Sequence, residues 1–201
     1  RLLLGLLTGV IGAALMGILA WIIYRSTLPG RGWLEYIVMF PQSIPRMVFS
    51  LGMLWAWLMF PVAGMYGSLW LLLLAYITVL MPLGVRAYSG VIVQLGKDVE
   101  ECARVCGASW LHTLRTITLP LIRPGVVATF TLLFISAVRE VNASVLLVGT
   151  NNKVIGPTIV AQWEGFGMSL TAALALVQSA VVFAALIIVF KVAGKGSQPL
   201  D

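Results

Sequence analysis

Long apolar runs alternate with short polar breaks along this chain. Leu2–Tyr24 is uninterrupted. A membrane-spanning helix needs about 20 mostly apolar residues, so this run is the first expected span. Arg25–Gly32 breaks it with Pro29, Gly30 and two arginines, and Trp33–Phe40 reads as a short helix at the membrane interface. Further spans are expected at 45–61, 68–85, 124–148 and 169–192, with a polar segment at 86–123 and a short helix around Thr158–Trp163 in the loop between the last two. The pattern predicts an all-α polytopic transmembrane bundle forming one domain over 1–201. Gly5 and Gly9 form a G-x-x-x-G pair that permits close helix contact. Pro41 and Pro45 mark the entry to the second span, Pro82 lies near the end of the third, and Pro120 and Pro124 mark the approach to the fourth. The tail Ala193–Asp201 is polar and expected to fray.

Composition supports the membrane reading. The chain of 201 residues is 60% hydrophobic and 10% charged, with a mean hydropathy of +1.02; soluble domains carry about 25% charged residues. The net charge of +6 points to topology rather than to nucleic acid, because Lys and Arg collect on the cytoplasmic side. With five spans, one side holds Arg25, Arg31, Arg46, Arg86, Lys97, Arg104, Arg115, Arg123, Lys191 and Lys195, and the other only Arg1 and Lys153. The 86–123 segment and the C-terminus are therefore expected in the cytoplasm and the N-terminus outside. A first span that begins outside, in a chain starting with Arg1, suggests one more span upstream.

Candidate chemistry is sparse. Cys102, Cys106 and the single histidine, His112, have poor zinc spacing and lack a fourth ligand. No metal site, cofactor or catalytic residue is expected, and a membrane-embedded enzyme would need a nucleophile–base pair or acid pair that the spans lack. The polar segment is more informative. Val99, Cys102, Ala103 and Cys106 fall on one face of a helix, and Glu100 and Arg104 form an i,i+4 pair. Gly107 is placed to end that helix in the left-handed conformation and Ser109 to cap a second one. In the second, Trp110, Leu114, Ile117 and Leu121 form another apolar face. Periodicity alone leaves open whether this helix–Gly–helix lies on lipid or docks into a protein.

Arg139 and Glu140 interrupt the fourth expected span about 15 residues in, roughly 22 Å along the axis. A charge at a helix centre costs about 2.5–3.5 kcal/mol. Ser136, Glu140 and Ser144 share an i,i+4 stripe, and Asn142 lies near Arg139. Two readings stand: an interhelical or snorkelling ion pair, or a polar lining of a translocation path. Gln178, mid-span, is expected to hydrogen-bond across helices; Trp163 and Phe166 read as interfacial anchors.

The polar segment resembles the EAA motif of permease subunits of binding-protein-dependent ABC importers. That motif is E-A-A, three residues, G, nine residues, I-x-L-P; here it is Glu101-Cys102-Ala103, Gly107, then Ile117-Thr118-Leu119-Pro120. Cys102 departs from alanine but is also small and readily buried. "FPQSIPRMVFSLGML" is similar to the proline-bracketed entry to a core span of these permeases. "VREVNASVLLVG" and "ALALVQSAVVFAALI" resemble the last two spans of the iron(III), thiamine and aminoethylphosphonate branch.

The resemblance implies a type I importer permease core in the plasma (inner) membrane of a bacterium or archaeon. Its partners would be a cytoplasmic ATPase dimer, a second permease half, an extracytoplasmic solute-binding protein and membrane lipid, with no nucleic acid. The chain lacks a G-x-x-x-x-G-K-[ST] phosphate loop, in keeping with ATP hydrolysis in the partner. Glu101, Cys102, Ala103, Arg104, Gly107, Ser109, Trp110, Ile117, Leu119 and Pro120 would form the ATPase-coupling segment. Ser136, Arg139, Glu140, Asn142 and Ser144 would line the path. Iron(III) is the expected solute, with thiamine, aminoethylphosphonate, sulfate and polyamines as alternatives.

Overall fold

The computed structural model describes residues 2–60, 66–96, 98–149 and 152–194. Helices α1 (Leu2–Tyr24), α4 (Leu69–Ile92) and α7 (Leu119–Val138) form the core, each packed on the other two. Inside a bilayer the apolar side chains gain nothing by leaving lipid, so close packing must hold helices together. Small residues provide it. A Cβ on Gly5 would lie 2.9 Å from Val138, one on Gly9 2.7 Å from the Phe130 ring, and one on Gly12 3.1 Å from Leu133. The Gly5–Gly9 pair is thus the seam on which α7 crosses α1. The order of these contacts makes α7 antiparallel to α1. On the other side, Met16 meets Gly84 and Gly17 meets Tyr88, so α4 runs parallel to α1.

The return crossing between α1 and α4 is broken. The sequence predicts one span over 45–61. Instead α2 (Arg31–Met39) and a 3-10 turn (Phe40–Ser43) rise along the core, and α3 (Arg46–Met59) leaves at 102° to them. The cause is local. Ile44, before a proline, is extended at φ −102° and ψ 128°, and Pro45 at the N-cap lacks the N–H that would continue the helix. With 14 residues, α3 is roughly 21 Å long, short of a bilayer core of about 30 Å. It is mostly exposed; Ser50 is its one buried residue.

Two other expected boundaries move. α4 continues past Val85 to Ile92, carrying Pro82 inside it. The fourth span does not begin at Pro124: Leu111–Val138 is one apolar helical run. It comprises α6 (Trp110–Thr113), a π-turn (Leu114–Thr118) and α7. At the π-turn the Leu119 N–H reaches back five residues to the Leu114 carbonyl. That widened turn directly precedes Pro120, so the strain of fitting a proline into the rod is taken up there. The stretch of the polar segment between the two long helical runs is accordingly only about Val93–Ser109, containing α5 (Asp98–Val105).

The fourth span also ends early. Helix α7 stops at Val138, ten residues before the expected limit, and 139–149 is a series of turns. The chain returns through α8 (Ile155–Glu164) and α9 (Met168–Gly194), close to the expected 158–163 and 169–192. α9 packs on α7 and α8, and Gln178 Nε2 donates to the Val138 carbonyl at 3.1 Å. That carbonyl is one of the four a helix end leaves unpaired, so the polar residue in the last span caps the end of α7. Residues 61–65 of the expected loop after α3 and 195–201 of the expected tail lie outside the described residues.

Candidate coupling surface and buried ion pair

Helix α5 is short and strongly polarised. Asp98, Glu100 and Glu101 occupy its first turn and Arg104 its last, each sign opposing the helix dipole at that end. Gly107 follows at φ 83°. Its N–H donates to Arg104 O at 2.9 Å, and the Ala108 N–H reaches Ala103 O at 3.0 Å, the paired bonds of a Schellman stop. Ser109 then caps α6, its Oγ accepting the His112 N–H at 3.3 Å. The two boundaries expected from Gly107 and Ser109 are both present.

The apolar faces expected on these helices are not buried within the chain. On α5 only Ala103 is buried; Val99, Cys102 and Cys106 are exposed, and Val105 is 88% exposed. Glu101 and Arg104 are exposed beside them. On the following rod the buried residues are Thr113 and Thr118, while Leu114 and Ile117 are half-buried and Leu121 is exposed. Leu119 and Pro120 are exposed on the first turn of α7, one rod away from α5. Of Trp110 the backbone alone is described, and Lys97 lies outside the described residues.

Glu100 differs from its expected role. Its carboxylate turns not to Arg104 but to Arg25, at the end of α1, with Nη2–Oε1 at 3.7 Å and side chains 5% and 19% exposed for Arg25 and Glu100. Arg25 also donates to Leu95 O at 2.9 Å, and Thr118 Oγ1 donates to Glu100 Oε1 at 3.3 Å. An open cleft of about 460 Å³ lies alongside, lined by Trp21, Arg25, Ser26, Glu100, Glu101 and Arg104 among others. The charge pattern alone treated Arg25 as a topology marker; Trp21, Arg25 and Glu100 carry no motif that would have singled them out.

At the opposite end of the bundle Glu140 is the organising residue. Its side chain is 2% exposed and pairs with Arg46, 48% exposed, through Nη1 and Oε2. Glu140 Oε1 accepts the Ala143 N–H at 3.1 Å, which turns the chain out of the helix just after Val138. Ser144 Oγ donates to Glu140 O at 3.2 Å, so of the expected Ser136–Glu140–Ser144 stripe two members meet, but across a turn rather than along a helix. Ser136 is half-buried on α7, and Arg139 and Asn142 are exposed. Ser50 Oγ donates to Ala143 O at 2.9 Å, which ties α3 to the same turn. Arg46 therefore lies with Glu140 and the first residues of α1, not with the basic residues of the α5 end as its position in sequence suggested. Tyr76 reaches Glu140 O at 3.4 Å from seven residues inside α4, roughly 10 Å below its start.

Comparison with known proteins places the chain in a family and a fold. The family model described as "Binding-protein-dependent transport system inner membrane component" matches residues 5–198. The Fe(3+)-transport system permease protein FbpB 2 of Haemophilus influenzae is 26% identical over 141 residues, 70% of this chain and 27% of that protein. The sulfate transport system permease protein CysT of Salmonella typhimurium is 27% identical over 190 residues, 87% of this chain and 66% of that one. The chain thus spans about a quarter of the first relative's length and about two thirds of the second's. Among solved structures, the MetNI methionine ABC transporter in inward-facing conformation superposes with a TM-score of 0.77, covering 98% of this chain and 93% of that one at 15% identity, a likeness of fold. By its match over nearly its whole length, the chain belongs to the family of binding-protein-dependent transport system inner membrane components.

Proposed function

We propose that this chain is a permease unit of an ATP-driven importer and that α5, Gly107 and α6 form the surface on which a cytoplasmic ATPase docks. The observation that carries the reading is the exposed outer face of α5. A short helix, stopped sharply by Gly107 and restarted by Ser109, presents Glu101, Cys102, Val105 and Cys106 outward. Ala103, on the inner face, seats it on the bundle. Such a helix moves as a rigid body and passes a push to the spans attached to it. The positive residues Arg25, Arg31, Arg86, Arg104, Arg115 and Arg123 share this end, which supports a cytoplasmic location for it. A second permease unit and a solute-binding protein outside the membrane complete the assembly.

For the solute, two observations point in different directions. The likeness of residues 138–149 and 173–187 to the iron(III) branch favours ferric iron. The polar cluster at the outer end favours an anion: half-exposed Arg46 and exposed Arg139 outweigh the single buried Glu140. Sulfate or a phosphonate would be attracted there. A binding screen of the cognate solute-binding protein against ferric ion, sulfate, aminoethylphosphonate, thiamine and polyamines separates the two.

The docking reading is tested at Gly107. Nothing lies within 4 Å of a Cβ built there, but its φ of 83° is strained for any other residue except asparagine or aspartate. Gly107→Trp is expected to insert into the membrane normally and to lose ATPase association. Normal association with normal transport would defeat the proposal.

A further inference from the structure

The two ends of the coupling machinery need a mechanical link, and the structure supplies one side chain that makes it. We propose that Arg25 is a positioning residue, the joint through which displacement of α5 is passed to α1. The inference rests on the docking reading above for its purpose, but its geometry is independent of it.

Arg25 continues the last turn of α1, its N–H bonded to Trp21 O at 2.9 Å. Its side chain is almost wholly buried, yet it does not pack into the apolar core. It reaches across to two other segments and folds back over its own helix. It donates to the Leu95 carbonyl in the connection after α4, faces Glu100 on α5, and lies 5.8 Å over the Trp21 ring of its own helix. Through Glu100 it also engages Thr118, on the π-turn that leads into α7. Trp21, Glu100, Arg104, Thr113, Leu114 and Thr118 line one small gap beside it. The guanidinium is therefore where α1, the α4–α5 connection, α5 and the root of α7 meet.

A fork of five N–H donors suits a joint better than a point charge does, because it holds several acceptors at once. Among its donors, Nε is buried with no acceptor among the described residues. A buried donor is costly to leave unpaired, and it lets the fork take a further acceptor when α5 shifts. Displacement at Arg25 is then carried along α1 to the Gly5, Gly9 and Gly12 seam with α7, where close packing leaves no slack. Above that seam stand Glu140 and Arg46. A push at α5 thus has a continuous packed route to the outer turn.

The test uses Arg25→Gln and the swap Arg25→Glu/Glu100→Arg, in the assembled transporter and in the permease alone. In the assembled transporter Arg25→Gln is expected to capture the ATPase at wild-type level, because Glu101, Val105 and Cys106 are untouched. It is expected to lower uptake at least tenfold and to make ATP hydrolysis independent of the loaded binding protein. The swap restores at least part of both. In the permease alone, nitroxides are placed on Cys102 and on Val10→Cys in a Cys106→Ser background. Arg25→Gln is expected to broaden the distance distribution between α5 and α1. Uptake and coupling within twofold of wild type, or an unchanged label distribution, would overturn the proposal. So would loss of membrane insertion in both variants, which would make Arg25 a folding residue. Failure of the wild-type chain to capture any ATPase, with the label distribution broadened as expected, would sink the docking reading and leave the joint standing.

Discussion

Arg46→Met and Glu140→Gln remove opposite halves of one ion pair and are expected to differ sharply in size. The carboxylate is 2% exposed and the guanidinium side chain 48% exposed. Removing the arginine strands a buried carboxylate with the Ala143 N–H as its remaining partner. Breaking a buried pair in this way costs about 3–5 kcal/mol. Removing the carboxylate leaves a guanidinium that is open on one side, and glutamine still offers an oxygen to Ala143; the loss is about 1 kcal/mol. For a chain of this size about 1 kcal/mol moves the melting temperature by roughly 2–4 °C. Arg46→Met should therefore lower it by roughly 6–20 °C and Glu140→Gln by roughly 2–4 °C. The double variant should recover most of the difference, since a neutral side chain no longer needs the arginine. Tryptophan-fluorescence melts of the purified permease in one detergent and at one pH measure all three. Equal losses in the two single variants, or a double variant whose loss equals their sum, would refute the burial asymmetry on which the reasoning stands.

Two further outcomes follow from the packing. Gly9→Leu should separate α1 from α7, because even its Cβ would sit 2.7 Å from Phe130; overpacking of this kind costs about 1–3 kcal/mol, whereas Gly52→Leu, which meets nothing within 4 Å, should leave the melt unchanged. Gln178→Leu should uncap the Val138 carbonyl for a loss of about 0.6 kcal/mol, the usual size of an interhelical hydrogen bond in a membrane, and hydrogen exchange should quicken in the last turn of α7 and not in α4.

Much of the fold is legible from hydrophobic runs. Leu2–Tyr24 and the last span stand almost where the pattern puts them, because nothing polar interrupts them. Two misplaced limits share a cause: Arg86 and Pro124 were read as boundaries, whereas Arg139 and Glu140 were read as lying within a span that continued to 148. Pro82 and Pro124 lie inside helices, since lipid offers the backbone no competing partner and neighbouring helices can re-satisfy the freed groups. The real boundary came from Glu140, whose carboxylate takes the Ala143 N–H and so ends the helix, an outcome that depends on Arg46 arriving from 94 residues away. Sequence spacing holds no record of that meeting, or of Arg25 finding Glu100. The α5–Gly107–α6 segment was legible for the opposite reason. Gly107 and Ser109 act on the backbone within a few residues of themselves, so their effect can be read locally. Its apolar residues were read as a face meeting lipid or a partner; the structure leaves Val99, Cys102 and Cys106 exposed but turns Ala103 inward.

The central claim is that the outer surface of α5 meets an ATPase. Val105, 88% exposed at the end of α5, is the position to probe. A photo-crosslinking amino acid placed there should yield one major adduct, with the cognate ATPase, and that adduct should change in yield when ATP is bound. The same group at Leu74, exposed on α4, should give none. An adduct at Val105 confined to lipid, with the ATPase present and active, would contradict the account.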